Sequence, residues 1–290
     1  MSNTFLYIVT VLIWGSTWLA IEYQLGVVEP EVSIIYRYLI ASGVLFIYCK
    51  IRRLSLKFKV KDHVYFVLLG LLLFCLNYIF AYRAQIHITS ALAAIAFSTM
   101  LWMNIVLSRF IFGTRATRRV LLGAALGVAG IVVLFAPQIS AISLSDSVLF
   151  GSLLALAGAL TASCGNMVSQ SAQKRSLPVV QTNTWSMFYG ALLTGVVALA
   201  SGHEFNFDAT FTYIASLTYL ALFGSVVAFG AYLTLLGRIG AHKAGYATVM
   251  FPVVALILSL AFEGLQLDLA IIVGATLVLL GNSLVLKKDA

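Results

Sequence analysis

From residue 4 to residue 286 the chain is a succession of apolar stretches, each about twenty residues long and with at most two charged residues apiece. A helix needs that length to cross a hydrocarbon core of roughly 30 Å. No water reaches the backbone there, so each stretch must satisfy its own peptide groups, which a helix does and an open strand edge does not. Charged or turn-rich breaks set the stretches at 4–23, 32–50, 63–83, 89–109, 118–136, 147–169, 179–200, 210–232, 242–262 and 268–286. The expected fold is an all-α integral membrane protein of ten transmembrane helices. Composition agrees: only 10% of residues are charged, against roughly 25% where a surface faces water. Short loops use up the rest of the chain, so no soluble domain is expected. Met1 to Ile21 lacks the basic segment and cleavage site of a secretory leader and reads as a retained first helix.

The basic residues give the orientation. Lys50, Arg52, Arg53, Lys57, Lys59 and Lys61 fall between the second and third stretches, and Arg109, Arg115, Arg118 and Arg119 between the fourth and fifth. Lys174, Arg175, Arg238, Lys243, Lys287 and Lys288 occupy later loops on the same side, leaving only Arg37 and Arg83 of the 18 basic residues elsewhere. The positive-inside rule puts this side, with both termini, in the cytoplasm. The net charge of +8 therefore reports topology, and no nucleic-acid partner is expected. The location expected is a cell membrane, a bacterial inner membrane, crossed many times.

Two weak internal matches suggest a repeat. Ala84 to Ala91 (AQIHITSA) and Gly237 to Ala244 (GRIGAHKA) each lead into a long apolar helix, and Gly123 and Gly130 have the spacing of Gly274 and Gly281. The division is five helices in residues 1–140 and five in 141–290, forming one membrane domain. Because five is odd, the second half must enter from the opposite side, as in the inverted repeats of many secondary transporters. Gly127 adds a GxxxG with Gly123, a surface for close packing or for a homodimer; monomer and homodimer both remain open.

Helical spacing selects candidate cavity residues, since positions i and i+4 share a face. Trp14 pairs with Trp18, Tyr78 with Tyr82 beside Asn77, Ser98 with Trp102, and Tyr246 with Met250. Asn104 and Asn166 need partners in an apolar interior, from a neighbouring helix or from cargo. Ionisable residues inside a membrane are costly and so informative. No acid lies at mid-depth; Glu22, Arg37 and Arg83 sit toward the outer side. Glu22 and Arg37 are expected to pair and close the outer face, with Glu22 as the one candidate proton-coupling group. Alternatively, Arg37 or Arg83 holds a substrate carboxylate. Cys49, Cys75 and Cys164 read as buried thiols, the four histidines are scattered, and no HExxH or Walker lysine occurs, so neither metal nor cofactor is expected and enzyme chemistry is disfavoured.

The run Trp14-Gly15-Ser16-Thr17, Arg37 in the second helix, Thr89-Ser90-Ala91, and Pro252 followed by Glu263 together resemble EamA-type members of the drug/metabolite transporter superfamily. The resemblance implies ten helices around a central cavity lined by helices 1, 3, 4, 6, 8 and 9, moving small metabolites, with Pro252 at a gate. In the first half, Ser98-Thr99 stands where the family often has proline, and Gly113-Thr114-Arg115 replaces a glutamate. The expected function is a secondary-active or facilitative carrier of small organic solutes, an exporter of amino acids or related metabolites. The alternatives are an organic-cation carrier with a Trp and Tyr cage around quaternary ammonium, a channel or sugar-nucleotide carrier, and an integral-membrane enzyme.

Overall fold

The computed structural model describes residues 1–134, 136, 146–262 and 269–286, and every described element is a helix. In chain order they are α1 (Asn3–Glu22), α2 (Pro30–Ile51), α3 (Val60–Gln85), α4 (90–112), α5 (Arg118–Leu134), α6 (Asp146–Lys174), α7 (Val179–Ala200), α8 (Phe211–Ile239), α9 (Tyr246–Phe262) and α10 (Leu269–Leu286). A single turn, Ala241–Ala244, precedes α9. Glu263, Asp268, Lys287 and Lys288 lie outside the described residues.

Local chemistry explains the boundaries. The Ser2 hydroxyl caps α1 by accepting from the Phe5 N–H, and Thr89 and Thr210 cap α4 and α8 in the same way. Pro30 opens α2, where its missing N–H costs nothing. Gly113, at φ 68°, ends α4 in the left-handed conformation that glycine adopts freely.

Six helices, α1, α2, α3, α4, α6 and α8, are long and apolar enough to cross a membrane. Large apolar side chains such as Leu12, Leu122 and Leu199 remain exposed on the outside, where lipid tails would meet them. α10 packs along α5, α7 along α2, and α6 along α3, while α1 lies against both α8 and α9.

Three helices depart from regular α geometry where they approach the centre. α3 passes through a π-helical segment at Gly70–Leu76 and α8 through another at Leu220–Val227. α4 breaks at Thr99: the Ser98 and Thr99 hydroxyls donate back to the Ile95 and Ala96 carbonyls, both at 2.6 Å, the back-bonding that bends helices. Two hydroxyls, with no proline, accompany the local break here.

Candidate functional site

The centre of the bundle holds a partly open hollow of about 60 Å³, room for only a few waters. Its wall is built by α1 (Trp14, Thr17, Trp18, Ile21), α3 (Leu73, Asn77, Tyr78, Ala81), α4 (Phe97, Met100), α6 (Ala162, Asn166), α8 (Phe229, Tyr232) and α9 (Thr248, Phe251). These are the helices implied by the resemblance.

Trp14 organises one side. Its ring centroid is 4.7 Å from Phe229, 4.9 Å from Tyr232 and 5.8 Å from Phe251. The Phe229 and Phe251 pairs are edge-to-face and the Tyr232 pair is tilted; aromatic pairs contribute ~0.5–1.5 kcal/mol each beyond area burial. Its indole N–H donates to the Gly224 carbonyl at 3.0 Å, within the π-helical segment of α8. Trp18 faces Phe97 at 5.0 Å. The polar groups are few. Asn166 donates to the Tyr232 hydroxyl at 3.0 Å and to Asn104 Oδ1 at 3.3 Å, and Asn77 donates to the Leu73 carbonyl at 3.3 Å. Asn77 Oδ1 and Asn166 Oδ1 are buried with no donor among the described residues, so two unpaired acceptors remain in a mostly apolar and aromatic wall. Pro252 has no N–H to give the Thr248 carbonyl four residues back, which loosens α9 beside Phe251.

Five residues expected from the sequence, Trp14, Trp18, Asn77, Tyr78 and Asn166, meet at the hollow. Four others are placed elsewhere. The Tyr82 hydroxyl donates to Gln24 Oε1 at 2.7 Å, and Ser98 is spent on the helix break. Trp102 is half-buried against the core outside the wall. Tyr246 is a packing strut: its hydroxyl donates to the Val278 carbonyl of α10 at 3.1 Å, and its own carbonyl accepts from Tyr7. Sequence reasoning missed Phe229 and Tyr232, although their i, i+3 spacing in α8 was a usable signal, and missed Thr17, which shares the face of Trp14 and Trp18.

The charged residues also redistribute. Glu22 is exposed at the end of α1, whereas Arg37 is fully buried, and the two do not pair. The outer ion cluster forms around Arg83 instead. Arg83 grips Glu31 with Nε at 3.0 Å and Nη2 at 2.8 Å and reaches Glu29 at 3.3 Å, with His203 Nε2 3.5 Å from Glu31. Glu29, Glu31 and His203 bring ligand-type atoms together, but the Arg83 guanidinium already occupies both carboxylates. Arg37 donates Nε to Ser225 Oγ at 2.9 Å and Nη2 to the Tyr78 hydroxyl at 3.3 Å, and its guanidinium carbon lies 4.4 Å from the Tyr78 ring centroid. A desolvated cation–π contact contributes ~2 kcal/mol, against a cost of at most ~2.5–3.5 kcal/mol, the figure for arginine at a helix centre in a membrane, for a residue in the N-terminal half of α2. Such contacts hold the guanidinium in place, yet none neutralises it.

The comparisons with known proteins point the same way. The EamA-like transporter family matches this chain twice, over residues 1–136 and 149–287. Similar proteins include "Uncharacterized transporter YoaV" of Bacillus subtilis, 27% identical over 93% of this chain and 91% of that one. "Uncharacterized inner membrane transporter YedA" of Escherichia coli is 27% identical over 87% of this chain and 80% of that one. A Salmonella typhimurium protein named "Probable amino-acid metabolite efflux pump" is 25% identical over 96% and 92% of the two chains. One crystal structure, 19% identical, shares the fold with a TM-score of 0.78 over 98% of this chain and 97% of its own. The chain belongs to the EamA-like transporter family, as a multi-pass membrane transporter of small solutes.

Proposed function

We propose that the protein is a secondary carrier of ten membrane-spanning helices, built as inverted halves 1–140 and 141–290 with both termini cytoplasmic. It moves an amino-acid-like metabolite outward by alternating access around the central hollow. The observation that carries this reading is the hollow itself, walled by aromatic rings from helices of both halves and holding two unpaired acceptors, Asn77 Oδ1 and Asn166 Oδ1. Ligand sites of this kind are mostly apolar with a few placed polar groups. Acceptors suit the N–H groups of an amine. Support for two halves comes from the separate family matches and from paired irregularities: the π-helical segments in α3 and α8, and Pro252 standing 153 residues after the Thr99 break. The outward direction draws on the name of the Salmonella relative.

Counterflow in proteoliposomes tests the carrier. Preloading with a transported amino acid should accelerate uptake of the labelled solute, because a carrier returns loaded faster than empty. Uptake indifferent to preloading would indicate a channel and defeat the proposal. For topology, a cysteine placed at Asp146 should label from outside while one at Lys57 is protected, and the reverse pattern would overturn the orientation.

A further inference from the structure

We propose that Arg37 is the group that binds the carboxylate of the transported solute. The inference rests on the reading of the hollow as the solute site and deepens it to a chemical class: a carboxylate-bearing solute with an apolar or aromatic body.

Three observations carry it. First, Arg37 is an unneutralised buried charge. It is fully buried in α2, and among the described residues no carboxylate lies within 4.0 Å of it. Its hydrogen bonds go to the neutral hydroxyls of Ser225 and Tyr78, the Tyr82 hydroxyl is a further neutral neighbour, and Nη1 is buried with no well-formed hydrogen bond among the described residues. A charge at membrane depth marks a pathway or substrate contact by default. Arg83 makes the contrast: it already holds two carboxylates and so offers a solute nothing.

Second, Arg37 lies one side chain behind the wall. Tyr78, which accepts from its Nη2, lines the hollow. A Cβ built on Gly224 would come within 3.2 Å of Arg37 Nη2 and 3.1 Å of Thr17, another wall residue. At that point the backbone of α8 passes close to both Arg37 and Trp14, and a side chain at position 224 would stand between the guanidinium and the wall.

Third, the guanidinium fork matches a carboxylate in geometry as well as charge. A carboxylate would take the vacant Nη1 and compete with the Tyr78 hydroxyl for Nη2. The hollow is too small for such a solute in this conformation, so Tyr78 must move as the site opens. The body of the solute then meets Trp14, Phe229 and Phe251, while Asn77 Oδ1 and Asn166 Oδ1 remain for its amine.

The test is counterflow by the full-length carrier in proteoliposomes against a matched set: L-leucine, L-leucinamide and 3-methylbutylamine, repeated with L-phenylalanine, L-phenylalaninamide and 2-phenylethylamine, and with choline. The wild type should move the amino acid at least tenfold better than its amide or amine. Arg37→Gln, and to a lesser degree Arg37→Lys, should remove that preference, lowering amino-acid uptake tenfold while changing the amide less than twofold. Equal transport of acid, amide and amine by the wild type would overturn the proposal even if Arg37→Gln failed to fold, as would a preference for choline; either result leaves the carrier reading intact. A parallel loss of acid and amide in a folded Arg37→Gln would make Arg37 a brace between helices and likewise overturn it. Counterflow of none of these solutes would strike the reading of the hollow, and the proposal with it.

Discussion

The seam between α5 and α10 and the wall of the central hollow are both helix contacts, but they are built on opposite terms. Along the seam glycines bring backbones together. A Cβ on Gly123 would come within 2.6 Å of the Gly281 carbonyl, and one on Gly130 within 2.7 Å of the Gly274 carbonyl. Around the hollow large rings hold the helices apart and leave amide oxygens unpaired. Small residues at a membrane helix interface allow tight van der Waals packing, which is what holds helices together where lipid is as apolar as leucine. The seam therefore has nowhere to go, whereas the wall has slack and unsatisfied groups. Tyr246 and Tyr78 show how context decides: one phenol is spent on the Val278 carbonyl beside the seam, the other stands between Arg37 and the hollow.

The comparison breaks most easily at the seam. Gly130→Leu should cost at least ~1–3 kcal/mol by overpacking and, with backbone as the neighbour, leave little monodisperse protein in size-exclusion chromatography. Wild-type yield would show that α5 and α10 can separate. At the wall, Trp14→Phe keeps a ring but loses the bond to Gly224, and should lower transport about tenfold, the equivalent of ~1.4 kcal/mol, at unchanged yield. Trp102→Phe, outside the wall, should change uptake less than twofold, and equal losses would erase the distinction. Arg83→Gln leaves Glu31 buried without its guanidinium and should lower thermal stability by ~1–3 kcal/mol; an unchanged melting temperature would reduce the outer cluster to a surface contact. Tyr246→Phe should have the smallest effect, a stability loss of ~1 kcal/mol with transport intact. A transport defect there would return Tyr246 to the solute path.

The helices were legible because a membrane imposes one length and one backbone solution, and a helix covers each stretch drawn from the sequence. The site was legible in part. Trp14 and Trp18 were found because they share one helix face, and Tyr78 with its neighbour Asn77 because of the i, i+4 pairing of Tyr78 with Tyr82. Tyr82, Ser98 and Tyr246 satisfy the same rule, yet each is consumed by a neighbour, Gln24, Ile95 or Val278, that no spacing rule identifies. The expected Glu22–Arg37 pair failed for a related reason. The π-helical segments that bring Tyr78 and Ser225 to Arg37 leave no trace in hydropathy.

Those segments have a consequence of their own. Successive residues of an α-helix are about 100° apart around the axis, and a π-turn takes in one residue more. The surplus in Gly70–Leu76 thus sets the compass bearing of everything that follows in α3, Asn77 and Tyr78 included, and the one in Leu220–Val227 does the same for Phe229 and Tyr232. Deleting a single leucine from either segment would barely alter the helix's length or oiliness. It would act as an angular mutation, turning half a helix away from the hollow while leaving the chain just as able to cross a membrane.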